Sequence, residues 1–137
     1  MSAGSVREAV EARDVAALRS LLADDVVFRS PVAHRPYEGK AVTAAIIANV
    51  MEVFEDFRYV RELHDDAGHA LMFEAKVDGL SITGCDFLTY DDAGLVTDFM
   101  VMVRPLRATE ALAAAMGARF DRIHAQAAAD EAAGPTR

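Results

Sequence analysis

The sequence predicts an α+β fold in which helices pack on the concave face of a curved antiparallel (mixed) sheet and leave a cone-shaped pocket. Three observations carry this. Apolar residues recur at helical spacing before residue 55 and again after Pro105. Between them lie four consecutive β-prone runs with no helical pattern among them. Each junction between those runs carries a glycine in a short acidic turn, namely Asp65-Asp66-Ala67-Gly68, Asp78-Gly79 and Asp91-Asp92-Ala93-Gly94.

Taken in order, Val6, Ala9 and Val10 share one side of a short first helix ending near Arg13. Asp14 caps a second, with Val15, Leu18, Leu21 and Leu22 at helical spacing. Asp24-Asp25 ends it, and Val26 to Ser30 reads as a short strand stopped by Pro31. The loop from Pro31 to Gly39 holds His34, Pro36 and Tyr37. From Lys40 to about Phe54, Val42, Ile46, Val50, Val53 and Phe54 form the stripe of a long third helix. The strand candidates are Phe57 to His64, His69 to Val77, Leu80 to Tyr90 and Leu95 to Arg104. Thr109 then caps a final helix with Leu112, Met116, Phe120 and Ile123 inward, and the tail from about residue 125 is expected to fray. All 137 residues read as one domain, without repeat or linker.

Composition narrows the function. A net charge of −8 argues against nucleic acid and against anionic membrane surfaces. No apolar run approaches the roughly 20 residues of a membrane span. Cys85 is the only cysteine, so no internal disulfide forms and a cytoplasmic setting is expected. A hydrophobic content of 53% implies extra apolar surface to cover, in a pocket or in a dimer interface.

The most informative residue is Asp86, a carboxylate within an apolar strand. With Asp78-Gly79 as a two-residue loop, Val77 pairs with Leu80 and Leu71 with Asp86. Leu71, Phe73, Ala75, Val77, Ile82, Gly84, Asp86, Leu88 and Tyr90 then share the more apolar face, assigned to the interior. A three-residue Asp92-Ala93-Gly94 turn would place Asp86 opposite Met100, with Asp98 and Met102 on the same face. Thr97, Phe99, Val101 and Val103 would then lie outside, and apolar residues on both faces of one strand suggest a homodimer through the outer face of the sheet.

The segments Ala12-Arg13-Asp14-Val15-Ala16-Ala17-Leu18, Leu22 to Phe28, Ser30-Pro31, Pro36-Tyr37-Glu38-Gly39-Lys40 and Asp91 to Val96 together resemble the SnoaL-like branch of the nuclear transport factor 2-like superfamily. The resemblance extends from about Val6 to Phe120. It implies a curved sheet, a deep apolar pocket and frequent dimers, in proteins that include polyketide cyclases, ketosteroid isomerases, epoxide hydrolases and non-catalytic binding or scaffold proteins. Cyclases of this kind place a His on the penultimate strand and an Asp on the last. These positions fall on Asp86 and Met100, so that pair is not reproduced. The isomerases use a base together with a Tyr and a protonated carboxylic acid, and Asp86 suits either acid role. The epoxide hydrolases use an Asp-Arg-Asp network; Asp86, Asp98 and Arg104 supply the residue types at poor spacing.

Two functions follow as expectations. The first is a cofactor-free isomerase, cyclase or hydrolase acting on an apolar cyclic substrate, with Asp86 as acid or base and His34 reaching over the pocket mouth to share its proton. Phe28, Tyr37, Phe54, Leu71, Phe73, Leu88, Met100 and Met102 would contact the ligand. The second is a non-catalytic ligand-binding or dimeric scaffold protein, in which Asp86 is a structural carboxyl held by backbone, Tyr or Arg, and His34 a solvated loop residue. His64 and His69 flank the Asp65-Asp66 turn and read as a solvated hairpin tip rather than a metal site. Neither a metal nor an organic cofactor is expected.

Overall fold

In the computed structural model, which describes residues 3–133, the order is α1 (Ala3–Glu11), α2 (Val15–Ser20), β1 (Leu22–Arg29), β2 (Tyr37–Glu38), α3 (Lys40–Val53), β3 (Glu55–His64), β4 (Gly68–Val77), β5 (Leu80–Tyr90), β6 (Val96–Arg104), α4 (Leu106–Gly117) and α5 (Phe120–Ala132). The strands form one curved six-stranded sheet in the order β2-β1-β6-β5-β4-β3. Neighbours run antiparallel except β1 and β6, which run parallel, so the sheet is mixed. Gly134 and Pro135 lie outside the described residues.

Local sequence explains the junctions. The Asp14 carboxylate accepts the Ala17 N–H at 3.0 Å and caps α2. Asp78 and Gly79 both adopt positive φ, 51° and 77°, the geometry of a tight hairpin, and this fixes Val77 opposite Leu80 and Leu71 opposite Asp86. Gly94 is also left-handed (φ 84°), and Tyr90 pairs with Val96 as the turn dictates.

One residue later the expectation fails. Thr89 pairs with Asp98, leaving Thr97 as an unpaired bulge residue. Because side chains alternate with a period of two, that insertion reverses every later position on β6. Asp86 faces Val101, Phe87 faces Met100 and Cys85 faces Met102. Phe99 and Val101 therefore point inward, while Met100 and Met102 sit on the outer face. Neither methionine can be a pocket residue, and the outward placement of Phe99 and Val101 is overturned with them.

Two further departures concern helices. Asp24 and Asp25 do not end α2; they lie within β1. The last helix begins at Leu106, where Thr109 bonds the Pro105 carbonyl from inside the helix, and it breaks at Ala118-Arg119 into two. The core lies between the concave sheet face and the helices, with Leu18, Leu22, Val26, Leu71, Phe73, Ile82, Val96 and Ile123 at its centre. Helix α3 crosses this face and is backed by α5, where buried Asn49 donates to Gln126 and accepts from Arg119.

Candidate functional site

A cavity of ≈ 330 Å³ lies between the sheet and α3, a size that suits a small organic ligand. Its floor is Phe73, Asp86, Phe99 and Val101; its roof is Ile46, Ile47, Val50, Met51 and Phe54. One end is bounded by Ser30, Pro31, Val32, Tyr37 and Phe120, the Tyr37 and Phe120 rings stacking at 6.1 Å. Val10, Glu11, Arg13, Phe28, Phe57, Arg58, Tyr59, Leu112 and Met116 complete the wall.

Asp86 is 6% exposed on this floor. Tyr59, on β3, donates its hydroxyl to Asp86 Oδ2 at 2.9 Å. β4 runs between the two residues, a span of roughly 10 Å across two strand spacings. A tyrosine and an aspartate reaching toward each other cover that distance. Phe73 packs beside the link, edge-on to Tyr59 and against Phe57 and Phe54, and its ring lies over Gly84, where a Cβ would come within 2.3 Å. The cluster fixes the tyrosine's approach. On the other side, the Arg7 guanidinium lies 5.8 Å from the centre of the Tyr59 ring.

Burial disfavours the charged carboxylate and lifts the Asp86 pKa from 3.8 to about 7, against the opposing pull of the Tyr59 hydrogen bond. Burial beside that carboxyl drives the Tyr59 pKa well upward, so its hydroxyl stays protonated and donating. An acid that titrates near neutrality inside an apolar cavity can take up or release a proton at ordinary pH. Glu11 is the other carboxylate in the lining, and Arg7 holds it at 3.2 Å.

Of the residues singled out from sequence, Phe28, Tyr37, Phe54, Phe73 and Asp86 line this cavity. Leu71 and Leu88 are buried in the core on the same face but do not line it. His34 is exposed on the loop after β1 and is not part of the wall, which removes it as a proton partner for Asp86. Met100 and Met102 lie across the sheet. Sequence reasoning missed Tyr59, whose face is concealed by irregular pairing in β3 on both sides of it, between Glu55 and Arg58 and between Tyr59 and Arg61. Among the described residues, no group of three or more His, Cys, Asp or Glu side chains is arranged to hold a metal ion, and no helix is long and apolar enough to cross a membrane.

Residues 5–99 match the SnoaL-like domain family. Solved structures with the same fold include a steroid delta-isomerase from Pseudomonas aeruginosa, 41% identical over 90% of this chain and 93% of that one, with a TM-score of 0.82. A protein conserved in bacteria with a cystatin-like fold, from Silicibacter pomeroyi DSS-3, is 36% identical over 85% and 83% of the two chains, again with a TM-score of 0.82. A nuclear transport factor 2-like protein of unknown function from Burkholderia xenovorans LB400 shares the fold at 13% identity, covering 79% and 88% with a TM-score of 0.64. No curated protein sequence matches the chain.

Proposed function

We propose, from the premise that the chain belongs to the SnoaL-like domain family, that it is a cofactor-independent isomerase that moves a proton on an apolar cyclic ketone. The observation that carries this reading is the Asp86 carboxyl, titrating near neutrality on the floor of an apolar cavity and held by Tyr59. Ionised Asp86 removes the proton from the carbon between the ketone and a neighbouring double bond. The electron pair passes into the carbonyl as a dienolate, and the proton returns two carbons further along the conjugated system. Tyr59 steadies the carboxylate while its charge comes and goes. The similarity to a protein described as a steroid delta-isomerase supports the substrate class. The reaction would run in the cytoplasm, where a lone thiol such as Cys85 stays reduced.

The test uses purified wild-type protein and 5-androstene-3,17-dione, following the absorbance of the conjugated enone. Since the base must be ionised, kcat/KM should climb as pH passes about 7 and level off above it. No enone formation above the buffer rate, or a profile flat from pH 5 to 9, would sink the catalytic reading.

One observation favours a second reading, a ligand-binding protein without chemistry. The residue opposite Asp86 is apolar Val101, and Glu11 is already held by Arg7, so Asp86 has no second free carboxylate beside it in the described wall.

In either reading we propose a homodimer through the outer sheet face. Two cross-strand rows meet there, Leu63-Ala70-Phe87-Met100 and Arg61-Met72-Cys85-Met102. Leu63 and Met102 are each 53% exposed and Phe87 38%. Ion pairs border these rows, Arg58 with Glu74 and Arg29 with Asp98, a polar rim around an apolar centre. Met102→Glu should convert a dimeric wild type to monomer in sedimentation velocity, and a monomeric wild type would remove the interface.

A further inference from the structure

Three residues with exposed charged side chains are among those lining the cavity, Glu11, Arg13 and Arg58. Two are spoken for: Arg7 binds Glu11, and Glu74 binds Arg58. Arg13 differs. Among the described residues its side chain makes one hydrogen bond, from Nη1 to the Met51 carbonyl at 2.7 Å, and no carboxylate lies within ion-pair distance of it. Glu52, the nearest acidic charge in sequence to that carbonyl, is bonded by Arg119 and Arg122 and feels Arg13 only through space. Arg13 is thus a cation at an apolar cavity with most of its N–H donors uncommitted.

Its backbone makes the placement costly. α1 ends with Arg13 N–H bonding the Val10 carbonyl and Asp14 N–H bonding the Ala9 carbonyl, a helix stop with Arg13 at φ 54°. That left-handed position ordinarily takes glycine, and a side chain there costs on the order of 1 kcal/mol. Strain of this kind persists where the side chain has work to do. The long arginine reaches from the strained turn to the end of α3, where Met51 O fixes the guanidinium beside the cavity wall.

We propose that Arg13 anchors an anionic group on the ligand, so that the site selects apolar carboxylic acids over their neutral counterparts. A guanidinium offers paired N–H donors that match a carboxylate in a way a lone ammonium does not. In a chain of net charge −8, a cation at the cavity with no carboxylate in ion-pair contact gives an acid a local reason to enter that the global field does not. The inference rests on the reading of this cavity as a small-molecule site. It adds the ligand's polarity: an apolar ring system with its reactive ketone toward Asp86 and a carboxylate at Arg13.

The experiment compares 3-oxo-4-androstene-17β-carboxylate with its methyl ester, each displacing the neutral dye Nile red at pH 6 and low salt. The acid should bind wild type about 10-fold more tightly than the ester, with the ratio shrinking as salt is added. In Arg13→Gly, which suits the left-handed backbone and so should fold at least as well, the ratio should fall to about one. Arg13→Lys should keep part of it. A wild-type ratio near one, or a full ratio surviving in Arg13→Gly, overturns the proposal. If neither dye nor ester binds wild type, the cavity reading falls with it. Turnover plays no part in this readout, so a protein that fails to isomerise a neutral ketone yet keeps the ratio loses the catalytic role of Asp86 and retains the anchor.

Discussion

Asp86→Asn should lower turnover by roughly two to four orders of magnitude, the range that one positioned acid–base group supplies, while making the protein more stable at pH 8. The sign follows from the raised pKa. Below about 3.8 the carboxyl is protonated whether the chain is folded or not. As pH climbs from there to about 7, the unfolded chain releases the proton and the folded chain keeps it, so stability declines across that window. At 1.36 kcal/mol per pH unit, the displacement from 3.8 to about 7 corresponds to roughly 4 kcal/mol. Asparagine does not titrate, and its carbonyl can still accept the Tyr59 hydroxyl. Urea unfolding of the two proteins should therefore agree near pH 4 and separate by several kcal/mol at pH 8 in favour of the variant. Parallel curves at every pH would mean that the carboxyl is not buried as described. The trade would be of stability for function at a single side chain.

Phe73→Ala should cost about 3 to 5 kcal/mol, the usual range for emptying a buried phenylalanine site. Phe73 is almost wholly buried and touches Phe54, Phe57 and Tyr59 with ring centres 5.1 to 6.5 Å apart. Gly84 beneath it has no side chain to fill the space, so the site collapses poorly. The vacated volume joins the cavity, because Phe73 is part of its floor. Thermal unfolding measures the loss. A drop under about 1 kcal/mol would show that the aromatic cluster is not packed as a unit. A fully stable variant with a shifted Asp86 titration by NMR would show that Phe73 screens the carboxyl from water rather than holding the fold.

How much of this was legible depends on where each residue's face was decided. The β4–β5 hairpin could be read to the residue, since Asp78-Gly79 leaves one sensible loop and alternation carries Leu71 to Asp86 from there. Asp86 announced itself, because a carboxylate among Ile82, Leu88 and Phe73 breaks the pattern of its own face. Tyr59 did not: β3 is irregular on both sides of it, so counting by twos from the Asp65-Gly68 turn loses phase before reaching it. The Thr97 bulge was hidden for a different reason. β6 is apolar on both faces, and hydrophobic alternation cannot report a slip when either phase buries a comparable set. Arg13 was visible only as the end of the first helix and part of a family-like segment, because its lack of an ion pair depends on which acids Arg7, Arg119 and Arg122 occupy.

The bulge at Thr97 leaves β6 with two candidate inner edges, Phe99-Val101 and Met100-Met102, of similar greasiness. What separates them is Asp98. In the observed phase it faces water and meets Arg29 at 3.0 Å. In the other phase it would enter the interior on the same face as Asp86, two acids sharing one dry compartment. Asp98 thus works as a reading-frame marker for the last strand: a charge whose contribution lies less in the bond it makes than in the alternative fold it forbids.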